Sequence, residues 1–490
     1  MLHPFCALLA AIGLFSQQSD VGGPSHPGTA AYDPASQVYT IGGAGANMWF
    51  NQDSFHFVWK RMTGDFLLAA HLNFEGRSAQ GHRKAILMIR QSLAPDAAYA
   101  DAAVHGDGLV SLQFRMAAGE TTHEIQSTAT GPGTFGIERI GGTIYLLVAG
   151  PDGKLHAAGS SVPIALGDSV LVGLGVCAHD PQAFETAQFS DVVMGPPIAS
   201  VVAVRSSLEY VKVPSGDRRS VYHTDAIIEA PNWTRDGAAL IFNGGGRLHR
   251  LDLAGGAEPV LIDTGSCTRC NNDHGLSPDG SLLAISDHSQ DDHSRIYVLP
   301  AGGGTPREIT PGAPSYWHGW SPDGVTLAFC GQRDGKFGIF TVPAAGGPEK
   351  RLTTAEGLDD GPDYSPDGRW IYFNSDRTGR MQIWRMHPDA SGLEQVTRDG
   401  DNNWFAHPSP DGKWIVILSY GPEVKGHPPD KDVRLRLIPM EGDRPAVEKI
   451  RVLVELFGGQ GTINVPSWAP DSSKLAYVRY QPPTHTEHGR

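Results

Sequence analysis

From residue 231 onward, apolar and polar positions follow one recurring phrase. It reads P-N-W-T-R-D-G (231–237), H-G-L-S-P-D-G (274–280), H-G-W-S-P-D-G (318–324), P-D-Y-S-P-D-G (362–368), A-H-P-S-P-D-G (406–412) and P-S-W-A-P-D-S (466–472). Its turn residues fall at 234, 277, 321, 365, 409 and 469, so the spacings are 43, 44, 44, 44 and 60. Each turn is followed by an apolar run such as SLLAISD (281–287), VTLAFCG (325–331), WIYFNSD (370–376) or WIVILSY (414–420). A second run comes next, RIYVLP (295–300), FGIFTVP (337–343) or MQIWRM (381–386), and then a Gly-rich turn. These β-rich runs predict about four strands per period. A unit of that size cannot bury both of its faces alone, and radial stacking of such units gives a propeller.

Six turns predict six blades. The last unit supplies only its first two strands, ending at Val478 to Tyr480, so SLEYVKVPSGDRRSVY (207–222) is expected to complete it from the other end of the domain. In S-P-D-G, Pro presets φ, Asp caps the turn and Gly takes the positive φ that ends it. Asp236, Asp279, Asp367, Asp411 and Asp471 are therefore assigned to structure rather than chemistry.

Residues 37–195 lack the repeat but alternate apolar and polar positions over many short runs. Examples are FLLAAHLNF (66–74), KAILMIRQSL (84–93), LVSLQFRM (109–116), FGIERIGGTIYLLVAG (135–150) and LVGLGVC (171–177). An antiparallel sandwich is the predicted arrangement. The domain boundary is placed near residue 200, with a sandwich over 30–198, a propeller over 205–480 and an exposed tail over 481–490.

Composition agrees with a turn-rich all-β chain: Gly and Pro number 60 and 36 of 490 residues, without a collagen period. Lys plus Arg number 39 against 53 Asp plus Glu, a net charge of −14. That balance argues against nucleic acid and anionic lipid as partners. The apolar run FCALLAAIGLF (5–15) is too short to span a bilayer and fits a secretory leader over 1–19. No other segment approaches the length of a membrane span.

The phrase W-S-P-D-G followed by an apolar strand resembles the TolB-like propeller family with its PD40 repeats, over residues 205–480. The resemblance implies a six-bladed propeller located in the bacterial periplasm or secreted. Relatives in that family include protein-docking propellers, propeller domains of serine peptidases and, more distantly, oligogalacturonate lyases. In the first half, FHFVWKRMTGDFLLAAHLNF and KAILMIRQSLAPDAAYADAAV resemble concanavalin A-like jelly-roll domains of secreted carbohydrate-active proteins. That likeness would make Trp49, Arg90 and Asp101 glycan-binding candidates.

Candidate chemistry concentrates just before each turn, where the innermost strand of a propeller blade lines the central channel. Polar residues crowd there: Asn271, Asn272, Asp273 and His274; Tyr316, Trp317 and His318; Asp359, Asp360 and Asp363; Asn402, Asn403, Trp404 and His407; Gln460, Thr462 and Asn464. Of these, His274, His318, Asp360, Asp363 and His407 are the candidate catalytic set. Asn272, Asp273, Tyr316, Trp317, Asp359, Asn403, Trp404, Gln460 and Asn464 are the candidate ligand contacts. Such a group could bind sugar rings or hold a divalent cation, Ca or Mn, on the axis. In an enzyme, the metal would neutralise a uronate carboxylate while a His takes the adjacent proton. His274 and His318 lie three before the turn residue whereas Asp363 and His407 lie two before it, so simple alternation separates the pairs unless a bulge intervenes.

A nucleophile elbow, H-E-x-x-H and a P-loop are all missing from the sequence, which removes serine-peptidase, zincin and nucleotide-hydrolase readings. Cys267 and Cys270 form the one close cysteine pair, read as a disulfide, two thiols or, with Asp273 and His274, a weaker metal motif. The insertion VKGHPPDKDV (424–433) with FGGQGTIN (457–464) explains the 60-residue spacing and is either a lid or a surface loop. The expected function is an exported propeller binding a carbohydrate or protein partner at its axial face. A polysaccharide lyase or glycoside hydrolase using the channel His/Asp cluster is the alternative, and a cell-envelope scaffold the third reading.

Overall fold

The computed structural model describes residues 13–76, 80–150, 152–198, 205–254 and 258–481. The chain divides into two compact units, residues up to 204 with 217–223, and residues 205–216 with 224 onward. Both are built from strands, and the described residues contain one three-residue 3-10 helix between named strands, at Val447–Lys449.

In the first unit, strands 66–74, 84–90, 99–105, 133–140 and 143–149 fall on the predicted alternating runs. They assemble into two sheets. One orders Gln17–Val21, Phe55–Thr63, Ser169–Cys177, Lys84–Arg90, Tyr99–His105, Leu109–Arg115 and His123–Thr130. The other holds Phe66–Phe74, Gly133–Ile140, Thr143–Ala149 and Asp180–Gly195 among its seven strands. Period-2 alternation sends Phe66, Leu68, Ala70 and Leu72 from one sheet and Ala85, Leu87 and Ile89 from the other into one shared core.

Residues 1–12 of the expected leader lie outside the described residues, as do 482–490 of the expected tail. The rest of the proposed leader is folded: Phe15 is buried in the sandwich core and Gln17–Val21 pairs residue for residue with Phe55–Trp59.

In the second unit, the repeat turns close as the sequence predicts. The Ser277 hydroxyl lies 2.5 Å from the Asp279 carboxylate, which accepts the Ser281 amide at 3.0 Å. Equivalent bonds recur at Ser321–Asp323, Ser365–Asp367 and Ser409–Asp411. Between these turns stand five blade sheets. Their inner strands are Ile228–Trp233, Cys270–Leu276, Ser315–Trp320, Asp359–Tyr364 and Asn402–Pro408.

The remaining strands of the second unit are not a separate blade sheet. Ser206–Lys212 pairs antiparallel with Lys474–Tyr480 along its full length, and Trp468 bridges Leu475. Arg218–Thr224 pairs in parallel with the first unit's His123–Thr130, and residues 217–223 belong to that unit. The Arg218 guanidinium lies 5.5 Å over the Phe114 ring there, a contact that residue type alone does not announce. The insertion is also more regular than a loop. Pro429–Glu441 and Arg451–Gly459 form a long hairpin on the fifth blade, which leaves 421–428 as the connecting loop.

Candidate functional site

The inner strands bulge. Register shifts fall at Glu229/Asn232, Cys270/His274, Trp317/Gly319, Asp360/Asp363 and Trp404/His407, one in each blade sheet. In three of them the bulge is carried by a left-handed residue four before the turn: Ala230 (φ 55°), Gly361 (φ 62°) and Phe405 (φ 51°). A bulge re-aims the side chains around it. Here it produces two layers along the axis.

The first layer is set by the residue five before each turn, namely Glu229, Asn272, Tyr316, Asp360, Trp404 and Asn464. All but Trp404 line a single cavity of about 640 Å³, together with Asp273, His318, Phe405 and Gln460. In the fifth blade His427, from the 421–428 loop, stands edge-on to Trp404 with ring centroids 4.4 Å apart and takes its place in the lining. The second layer, two residues before the turn, holds Asp363 and His407. The candidate residues therefore separate into two groups that the strand pleat alone would not have sorted.

His318 is 3% exposed, with Nε2 3.3 Å from Asp360 Oδ1 and Nδ1 3.4 Å from the Asn464 carbonyl. Burial alone would lower its pKa, but the hydrogen bond to Asp360 and the charges of Asp273 and Asp360 outweigh this and hold it at about 9. Burial likewise opposes ionisation of Asp360, yet His318 and His427 pull its carboxyl below the usual range. Asp273 is raised to about 7, first by burial and then by the Asp360 charge, with His318 acting against the rise. Burial also raises Glu229, which Asn272 partly offsets. His427 Nε2 is 3.8 Å from Asp360 Oδ2, its Nδ1 is buried without a partner, and burial lowers its pKa.

Several predicted site residues lie elsewhere. His407 Nδ1 is 3.0 Å from Asp363 Oδ2 and its Nε2 is 2.8 Å from the Ile463 carbonyl, so the pair is a buried strut and not part of the cavity. His274 is fully buried outside the cavity, with its pKa lowered to about 4 by burial, and is neutral near pH 7. Asp359 is held by Arg377 through bonds of 2.8 and 2.9 Å. Asn403 bonds Gln382 of the fourth blade, Thr397 and Asp399 just after it, and Ser419 of its own blade. Trp317 and Trp404 are core side chains at 1% exposure. Each of these was predicted from its place beside the channel, and each is turned away from the cavity by the bulge or consumed by a neighbour.

The glycan candidates of the first unit are not arranged as a binding surface either. Arg90 is fully buried and donates to the Ser92 and Ala94 carbonyls at 2.6 Å. Asp101 is fully buried, and burial pushes its carboxyl well up. Trp49 is half-buried, with the Lys84 ammonium 5.8 Å over its ring. Cys267 and Cys270 are buried free thiols, both raised by burial, Cys267 to about 12. Among the described residues no group of three or more His, Cys, Asp or Glu is arranged to hold a metal ion. No helix among them is long and apolar enough to cross a membrane.

The sequence reasoning missed Glu229 and His427. The signal for Glu229 was the common position five before the turn, which also holds Asn272, Tyr316, Asp360 and Asn464. His427 was visible as the histidine of the insertion.

Comparison with known proteins bears on the second unit. Residues 312–425 match the PD40 family, the TolB β-propeller domain. An uncharacterized protein of Agrobacterium fabrum is 52% identical over 280 residues, which are 57% of this chain and 94% of that protein. A solved structure from Agrobacterium tumefaciens, assigned as TolB, shares 52% identity with a TM-score of 0.55, covering 57% of this chain and 99% of its own. TolB from Acinetobacter baumannii aligns at 14% identity with a TM-score of 0.41, over 66% of this chain and 79% of that one.

Proposed function

The chain belongs, through its second unit, to the TolB-like β-propeller family, and on that premise we propose that it is an exported binding propeller that docks a protein partner at the mouth of its axial cavity. The observation that carries the proposal is the cavity of about 640 Å³ lined by the residues five before the turn. Its volume lies within the usual range for ligand sites, and the Tyr316, Phe337 and Phe405 rings stand among many convergent polar groups. In this reading Lys474–Tyr480, the Trp468–Leu475 bridge and Ser206–Lys212 are the sixth blade, which ties both ends of the domain into one ring. The first unit is read as the jelly-roll sandwich that accompanies it, and the protein as periplasmic or secreted.

A photo-crosslinking residue placed at Tyr316 in the native host tests this. A discrete crosslinked protein is expected, lost when His318→Ala and His427→Ala are combined. The same label at Pro410, beside the opposite mouth, is expected to give none. Crosslinking from Pro410 alone would place the partner on the wrong face.

A second reading rests on one observation: Asp273, near 7, faces a protonated His318, an acid and a base poised for proton transfer. Incubation with uronate-rich and neutral polysaccharides, followed by a search for cleaved or unsaturated products, tests it. A uronate is the less favoured substrate, because no Lys or Arg lines the cavity to receive its carboxylate.

A further inference from the structure

We propose that the axial cavity receives an organic cation, an alkylammonium or guanidinium group such as a partner's lysine or arginine side chain. The inference rests on the reading of this cavity as the binding site and names the chemistry of what enters it.

Charge comes first. Glu229, Asp273, Asp292 and Asp360 line the cavity, and none of the other lining residues is Lys or Arg. The three histidines there are His288, His318 and His427. His318 is spent on Asp360, so the pair is close to neutral as a unit. That leaves Asp273 only a share of the His318 charge, and Glu229 has Asn272 as its hydrogen-bond partner and no Lys or Arg in the cavity.

Aromatic lining is a separate observation with the same sense. Tyr316, Phe337 and Phe405 present rings to the same space. A carboxylate set beside aromatic faces suits an ammonium or guanidinium group, which the ring quadrupole attracts. An anion would meet the rings and carboxylates together and gain from neither. A third observation is His427 Nδ1, buried and unpartnered. Burial favours the neutral ring, whose free nitrogen can accept an N–H from a guest. At about 640 Å³ the cavity has room for a long basic side chain with some of its flanking backbone, more than a bare ion needs.

The proton balance of the site gives the proposal a measurable signature. Asp273 is faced by Glu229 from the first blade, Asn271 beside it, Tyr316, His318 and Cys330 from the third, and Asp360 from the fourth. Without a guest it holds its proton up to about pH 7. A guest cation favours the carboxylate, so binding expels that proton and tightens as pH rises through 7. If one such proton is released, affinity should grow about tenfold between pH 6 and pH 8.

Calorimetric titration of the full chain tests this, with Nα-acetyl-lysinamide, Nα-acetyl-argininamide and 1,4-diaminobutane as probes. The neutral Nε-acetylated lysine twin and trigalacturonate serve as contrasts. The charged probes are expected to bind, the acetylated twin at least tenfold more weakly, and trigalacturonate not at all. Stronger binding of the amino-acid amides than of diaminobutane would indicate a protein side chain as the natural guest, and the reverse a free amine. Asp273→Asn should remove the pH slope and weaken binding about tenfold at pH 8, with thermal stability retained. Equal binding of the acetylated twin, preference for trigalacturonate, or a pH slope that survives Asp273→Asn would overturn the proposal. Silence of every probe at millimolar concentration would do so as well. If crosslinking from Tyr316 nevertheless succeeds, the partner reading stands and only the cationic chemistry falls.

Discussion

Two His–Asp pairs stand near one another in the propeller, and they do different work. His407–Asp363 and His318–Asp360 both lie within hydrogen-bond or ion-pair reach, at 3.0 and 3.3 Å, and both histidines are almost wholly buried. What separates them is position on the inner strand. His407 and Asp363 each sit two before the turn, and the second His407 nitrogen is consumed by the Ile463 carbonyl at 2.8 Å. Asp360 sits five before the turn and opens on the cavity, where His318 and His427 flank it. Residue type therefore says little about role in this ring. The layer in which a side chain falls decides whether it braces the blades or faces a guest.

The largest test of that division removes the imidazole from each pair in turn. His407→Ala leaves a buried carboxyl on Asp363 and a buried carbonyl on Ile463, and breaking a buried pair from one side typically costs about 3–5 kcal/mol. His318→Ala should cost less, about 1–2 kcal/mol, since Asp360 keeps the Gly361 amide at 2.8 Å and borders the cavity. Urea denaturation of the second unit reads both. The comparison breaks if the two losses are equal, or if His407→Ala also abolishes probe binding while the fold remains intact.

The pH dependence sharpens it next. His318 is raised from 6.5 to about 9, so its stabilisation is fully present below about pH 6.5 and is lost as pH rises through 9. Asp273, raised from 3.8 to about 7, adds a decline of the same sign at lower pH, between about 4 and 7. Thermal midpoints should thus fall across both windows in the wild-type chain. Asp360→Asn should flatten the upper window and Asp273→Asn the lower. An upper slope unchanged in Asp360→Asn would detach His318 from the cavity pair.

Much of this architecture was legible in the residues, because S-P-D-G turns and alternating runs are local signals. The Ser–Asp bonds and the strands 66–74 and 282–287 follow from neighbours only a few positions away. Of the candidate residues, Asn272, Asp273, Tyr316, His318, Asp360, Gln460 and Asn464 line the cavity and the rest do not. Sequence spacing singled out the histidines, yet His274 points away from the cavity while Asp273 beside it lines it. The cause is a backbone event: bulges, three of them with left-handed residues at Ala230, Gly361 and Phe405, break the two-residue alternation. Neither Ala nor Phe signals a left-handed conformation, so the bulge could be suspected but not placed. The fate of Arg218–Thr224 was hidden for a different reason. Its parallel pairing with His123–Thr130 joins positions more than ninety apart, and no local signal sets it.

The smallest test reaches the turns that hold both layers in register. Gly324 ends the third repeat turn at φ 72°, and a Cβ there would come no closer than 3.6 Å to Pro278 Cδ, an ordinary contact. Gly324→Ala therefore introduces backbone strain without a clash, at a cost of about 1 kcal/mol. For a unit of this size that is a fall of about 2–4 °C in thermal midpoint. The Ser321–Asp323 bond and the Val325 amide that Asp323 accepts at 3.0 Å remain available to hold the turn. Since Gly324 lies three beyond the turn residue, and the cavity five before it, probe affinity should be unchanged. A loss of binding with so small a loss of stability would mean that the turn end and the cavity end are mechanically coupled, and the division between bracing layer and receiving layer would fail.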